Sequence, residues 1–202
     1  MSPTETNRPS ATRRSYARAM ATDPPLVVVV TGPPASGKSS IARYLAEALP
    51  APLIAKDPVK EALFDALGTG DPDWSRKLGI ATYAVLYLTL DQELAAGRSC
   101  VLEANFDHNE ASAQLAAIQL RRPFRALQIV CTASRHVLID RFTSRGDRHP
   151  GHIDEERLDD VIESIDAGRW RALELDGELV EVDTTDWSTV DIDALVGRAC
   201  AG

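Results

Sequence analysis

The apolar positions of this 202-residue chain fall into short blocks separated by longer stretches of helical spacing. Residues 26–31 (LVVVVT) are an unbroken, β-branched run, the pattern of a strand buried on both faces in the middle of a parallel sheet. A helix is expected over 39–49, stopped by Pro50, then a short strand over 52–55 and a helix over 58–67. The loop GTGDPD (68–73) leads into a long helix over 74–96, closed by Gly97, and a third strand over 100–105. An Ala/Gln/Leu-rich helix over 109–121 precedes a fourth strand over 126–131. Ser134 is placed to cap a helix reaching about 144, and Asp154 a further one. A fifth strand over 178–183 and a closing helix over 189–200 complete the pattern. Strands alternating with helices require right-handed crossovers and a mostly parallel α/β sheet, whose strand C-terminal ends all lie on one edge. Residues 32–39, 56–60, 103–108, 132–135 and 184–187 follow strands and should therefore converge.

Composition narrows the class. Hydrophobic residues make up 44% and charged residues 26%, ordinary values for a globular α/β chain. The net charge of −8 disfavours a duplex nucleic-acid binder, which needs a basic face. No apolar run approaches the length of a membrane span. Residues 1–24 are polar, carry Arg8, Arg13, Arg14 and Arg18, and lack the apolar centre of a secretory signal. They read as a flexible tail before one domain over 25–202, in a cytoplasmic protein. Cys100, Cys131 and Cys200 have no metal spacing and read as small buried hydrophobes in a reduced compartment.

The chemistry is concentrated after the first strand. Gly32-Pro33-Pro34-Ala35-Ser36-Gly37-Lys38-Ser39 matches G-x-x-x-x-G-K-[ST] in the context that gives the motif its meaning, after a strand and opening a helix. Glycines let successive N–H groups turn toward a phosphate chain, and the helix start adds its positive dipole end. Lys38 can reach the β- and γ-phosphates, and the Ser39 hydroxyl can ligate Mg²⁺. Residues 32–39 together with Ser40 are the expected nucleotide contacts.

After the second strand, Asp57 would stand at the sheet edge beside this cradle and could take the proton of an attacking hydroxyl. The same Asp57-Pro58 pair also reads as a helix N-cap followed by proline at the first helical position. Lys60 is one turn on, placed to steady Asp57 or a phosphate. After the third strand, Glu103 is a candidate partner for Mg²⁺ or for the acceptor. Asn105, Asp107 and His108 are candidate acceptor contacts, with Asp107 or Asn109 alternatively capping the next helix. His149 and His152 have no third ligand nearby in sequence and read as loop histidines contacting phosphate or backbone. The stripe of Trp74, Tyr83 and Tyr87 could wall an acceptor pocket or serve as core.

Gly32–Ser39, the KDPVK after the second strand, the EANF after the third and the arginine-rich break late in the chain together resemble the small P-loop kinases. These are AAA-type ATP-binding proteins, and the nearest groups are the polynucleotide-5′-kinase-like proteins, chloramphenicol phosphotransferase and the zeta-toxin kinases. The resemblance spans about residues 26–185. It implies a three-layer fold with a five-stranded sheet in the order 2-3-1-4-5, helices on both faces, and an arginine-rich lid over about 141–153. It implies ATP and Mg²⁺ as cofactors, Asp57 as general base, and Arg141, Arg145 and Arg148 closing on the triphosphate. It puts the adenine near Thr185 or Trp187. The chain departs from the family pattern in having Lys60 where arginine is usual and Glu103 where aspartate is common. The implied activity is transfer of the γ-phosphate to a hydroxyl of a small molecule. A polynucleotide 5′-hydroxyl kinase is the alternative within the class. A nucleotide-binding regulatory or toxin-like module with slow hydrolysis is the alternative outside it. The absence of an N-K-x-D stretch favours adenine over guanine.

Overall fold

Four consecutive valines build the centre of the molecule. In the computed structural model, which describes residues 24–49, 51–146, 148–152 and 158–201, they lie in β1 (Leu26–Thr31). The flexible tail expected over 1–24 lies outside the described residues except for Pro24, and so do the stop at Pro50 and the cap at Asp154.

The strands are β1, β2 (Leu53–Ala55), β3 (Cys100–Glu103), β4 (Arg125–Thr132) and β5 (Gly177–Asp183). They form one sheet in the order β2-β3-β1-β4-β5 with every pairing parallel, as the alternating pattern and the resemblance require. The helices are α1 (Lys38–Ala48), α2 (Lys56–Leu67), α3 (Pro72–Ala95), α4 (His108–Arg121), α5 (Arg135–Thr143), α6 (Leu158–Asp166) and α7 (Ile192–Cys200).

The period-2 alternation of side chains explains why β1 is apolar throughout. Val27 and Val29 face a cluster with Leu86 and Leu90 of α3 and Leu115 of α4. Val28 and Val30 face the opposite cluster, with Ile41 and Leu45 of α1 and Leu195 of α7. A third cluster joins Ala35 of the phosphate-loop motif to Phe142 of α5, Val161 of α6 and Trp170, so the helices after β4 pack directly on that loop.

Several boundaries differ from the sequence expectation. α2 begins at Lys56 rather than 58, with Ala55 at the cap position and no side-chain cap, so Asp57 lies inside the first turn and is not the N-cap. α3 begins two residues early, because Asp71 accepts a hydrogen bond from Trp74 N and Pro72 starts the first turn. Ser134 sits at the cap position of α5 without capping it through its side chain. α7 begins at Ile192, after a short 3₁₀ turn over Trp187–Thr189. Cys100 and Cys131 are buried as expected, whereas Cys200, in the last turn of α7, is exposed.

Register fixes the functional edge. Glu103 is level with Val30 of β1 and with Ala55 of β2. The phosphate-loop motif, the start of α2 and the chain after β3 therefore emerge side by side. The packing predicts a sharp contrast along α3. Leu86→Ala, at a fully buried position, should cost about 2–5 kcal/mol. Ile80→Ala, at a side chain 68% exposed, should change stability by less than about 0.5 kcal/mol. Urea unfolding of the two variants checks this.

Candidate nucleotide and acceptor site

The loop over 32–37 is shaped by backbone conformations that side chains resist. Gly32 and Gly37 have φ of 143° and 75°, and Ala35 is left-handed at 68°. A Cβ on Gly32 would stand 2.2 Å from the Cys131 carbonyl oxygen, so only glycine lets the loop leave β1 beside β4. Ser36 N donates to Pro33 O at 3.2 Å, closing a turn. Gly37 is the N-cap of α1 and offers no side-chain cap, and no acidic residue occupies the first turn. First-turn amides of a helix have no intrahelical acceptors. An uncapped helix start of this kind is suited to an anion. The buried Ser36 Oγ has no hydrogen-bond partner, a second polar group turned toward the same loop. The Ser40 N–H, by contrast, is satisfied by Gly37 O.

At the end of β3, Glu103 is 3% exposed. Its Oε1 accepts from Ser39 Oγ at 3.3 Å and lies 3.9 Å from Lys38 Nζ. Burial raises the pKa of this carboxyl; Lys38 opposes the shift and Asp57 adds to it. Asp57 shows the reverse balance. Burial acts to raise its pKa, but Lys56, Lys38 and the Arg148 guanidinium together hold it well below the usual carboxylate range. Lys56 Nζ lies 3.7 Å from Asp57 Oδ1, and Arg148 Nη1 donates to Oδ2 at 2.9 Å. Two carboxylates at one sheet edge are thus driven in opposite directions.

An aromatic wall stands beside them. Tyr87 of α3 stacks with Tyr83 and with Phe106, Tyr83 meets Phe106 at a tilt of 51°, and the Tyr83 hydroxyl donates to Asn105 O at 2.9 Å. Burial, together with Tyr87, Asp57 and Glu103, pushes the Tyr83 pKa up, so its hydroxyl is a neutral donor. The Lys56 ammonium lies 6.0 Å from the Tyr83 ring centroid. This stripe therefore borders the carboxylates as well as packing in the core.

Other candidates are placed elsewhere. Lys60 is 4% exposed and donates to Ser75 Oγ at 2.9 Å, with its ammonium 5.1 Å from the Phe64 ring centroid. Asp107 caps α4 through Asn109 N and pairs with Arg169, while His108 bonds Ala172 O, so both turn toward residues 169–174. The three arginines reach different groups. Arg141 Nη2 donates to the Thr184 and Thr185 carbonyls at 2.8 and 3.3 Å, Arg145 lies over the Phe142 ring, and Arg148 meets Asp57. Thr185 Oγ1 accepts from Ser134 N, and Trp187 lies against Gly37, where a Cβ would be 2.8 Å from the indole. His149 and His152 reach carboxylates, Asp65 and Glu61, with His149 Nδ1 also accepting from Gly151 N.

Sequence reasoning missed Thr184. It is fully buried, with its hydroxyl 3.0 Å from Ser36 O and 2.9 Å from Thr132 O, and it receives Arg141 Nη1 at 3.3 Å. It ties the phosphate loop to the ends of β4 and β5. Only its place after a strand signalled it.

Fold and site together define a P-loop kinase-type nucleotide-binding α/β protein. The family model described as an AAA domain, AAA_33, matches residues 27–167, and the chain belongs to that family. A candidate kinase from Chloroflexus aurantiacus J-10-fl is 37% identical with a TM-score of 0.81, the match covering 87% of this chain and 97% of that one. At the level of fold alone, the chain is similar to a sugar kinase from Janibacter sp. HTCC2649 (16% identity, 87% and 92% covered, TM-score 0.55). It is similar in the same sense to a gluconokinase from Sinorhizobium meliloti 1021 (18%, 88% and 90%, TM-score 0.51). A comparison with curated proteins finds no match. Among the described residues no helix is long and apolar enough to cross a membrane.

The raised pKa of Glu103 has a consequence for stability. An acid whose folded pKa lies above its unfolded value, about 4.3 for glutamate, destabilises the fold as pH rises through that range. Glu103→Gln should therefore raise the urea midpoint of the nucleotide-free protein at neutral pH, with wild type and variant converging below about pH 4. A constant offset from acid to neutral pH would contradict it.

Proposed function

We propose that this protein transfers the γ-phosphate of ATP to a hydroxyl of a small molecule. The observation that carries the reading is the juxtaposition at the sheet edge of the Lys38–Ser39–Glu103 cluster with an ionised carboxylate, Asp57, one strand away. Kinase-type relatives of the same fold and a family model spanning the site support it.

In this mechanism the main chain over 32–38 and Lys38 hold the phosphate chain, with Ser40 beside them and Thr185 and Trp187 toward the base. Ser39 Oγ and the Glu103 carboxylate would hold Mg²⁺, and their mutual contact already sets two oxygens side by side. So few protein oxygens suit an ion that keeps several waters and phosphate oxygens as ligands. Held there, the ion would offset the negative charge that develops on the transferring phosphoryl group. Asp57 is ionised, so it can only accept. It orients the acceptor hydroxyl and takes its proton as the oxygen bonds to the γ-phosphorus and the β–γ bridging bond breaks, releasing ADP. Phosphoryl transfer has a loose transition state, so positioning matters more than strong basicity. Arg141 acts indirectly, by fixing Thr184 and Thr185 against the phosphate loop. Asn105 and the Tyr83–Tyr87 wall border the acceptor.

The test is incubation with labelled ATP, Mg²⁺ and a panel of hydroxyl compounds that includes a 5′-OH oligonucleotide. A labelled small-molecule product is expected. A labelled oligonucleotide would instead favour the polynucleotide kinase, against the charge of −8. ATP turnover that no acceptor accelerates would leave only a nucleotide-binding module. Asp57→Asn should lower kcat by about 10²–10⁴-fold with nucleotide affinity unchanged. Undiminished turnover would remove Asp57 from the reaction.

A further inference from the structure

The segment Arg148-His149-Pro150-Gly151-His152 lies across α2, and the mechanism uses none of it beyond the Arg148 charge that helps hold Asp57 ionised. Asp57, Glu61 and Asp65 are spaced four apart and so share one face of that helix. Each is met from the segment: Asp57 Oδ2 by Arg148 Nη1 at 2.9 Å, Glu61 Oε1 by His152 Nε2 at 3.0 Å, and Asp65 Oδ1 by His149 Nε2 at 3.2 Å. The segment is itself a closed turn, with His152 N donating to His149 O at 2.9 Å. Gly151 N donates to His149 Nδ1, which leaves the ring proton on Nε2, where it points at Asp65.

Under the turn lies Phe64, nearly fully buried. His149 stacks on it with centroids 5.5 Å apart and planes 9° from parallel, and His152 meets it edge-on at 5.9 Å. Gly151 sits so close that a Cβ would stand 2.4–2.6 Å from three ring atoms. The Gly151 carbonyl is 3.5 Å from Ser75 Oγ at the start of α3, and Ser75 receives Lys60. Ring stacking, close backbone approach and three polar pairs therefore fasten the acceptor-side end of the expected lid to α2.

We infer that residues 149–152 are a clasp on α2 that places the Arg148 guanidinium on the Asp57 carboxylate, with His149, Gly151 and His152 as positioning residues for that carboxylate. Its meaning for catalysis rests on the reading of Asp57 given above. The clasp separates Arg148 from Arg141, which is tied to the chain after β5. The charged and titratable groups facing Asp57 are Lys56, Lys38, Arg148, Glu103 and the Tyr83 hydroxyl of α3, with His152 of the clasp next to them.

The experiment uses the full chain as wild type, Gly151→Ala, His152→Ala and His152→Gln, the last keeping an N–H donor for Glu61. Hydrogen exchange near neutral pH should quicken by about tenfold or more in peptides over both 148–152 and 56–67 for Gly151→Ala and His152→Ala, and return toward wild type for His152→Gln. The carbon-13 titration of the Asp57 carboxyl, assigned with Asp57→Asn, should move upward toward about 3.9 in the same two variants. Mg·ATP affinity by calorimetry should be unchanged. Unaltered exchange, or an Asp57 midpoint that stays at its wild-type place, overturns the proposal. So does a fall in ATP affinity as large as that caused by Lys38→Ala, since the segment would then belong to the nucleotide. No phosphotransfer is measured, so failure to find an acceptor would leave these outcomes standing.

Discussion

A carboxylate buried at the end of β3 is the constraint on which the site turns. Glu103 can stay charged only as far as its lost hydration is replaced, and Lys38 and Ser39 supply part of the replacement while burial still raises its pKa. That pairing holds the first turn of α1 against the middle of the sheet. It also holds a negative charge next to a loop shaped for anions.

The second carboxylate makes the contrast. Asp57 leaves β2 one strand away and is more open, with 31% of its side chain exposed, yet it is far more acidic because three cations surround it. Differences in neighbours, not in the chemistry of the carboxyl group, drive the two pKa values apart. The phosphate loop is braced from the far side by a different device. Thr184 joins Ser36, Thr132 and Arg141, and Ala35 packs with Phe142 and Trp170. The helices after β4 therefore support the loop rather than merely cover it.

Much of this was legible in the chain. The run of valines announced a strand buried on both faces, and the alternation of apolar blocks with helical spacing announced a parallel sheet. The spacing of Gly32, Gly37, Lys38 and Ser39 located the phosphate loop, because each residue there answers a local backbone or charge requirement. The start of α2 was misjudged because Asp57-Pro58 carries a strong local cap signal. In the fold that carboxylate is instead drawn to Arg148, 91 residues away in sequence. The arginines lie close together along the chain, yet Arg141 meets carbonyl oxygens after β5, Arg145 the Phe142 ring and Arg148 the Asp57 carboxylate.

Local chemistry along the chain thus determined the parallel sheet, the succession of strands and helices and the strand-to-helix loop shaped for an anion, since hydrophobic period, glycine conformation and helix starts are short-range properties. Tertiary structure alone decided which carboxylate is acidic and which is not, where each arginine goes, and that His149 and His152 fasten onto α2. Those outcomes depend on burial and on charges brought together from distant positions, and neither quantity exists until the chain has folded.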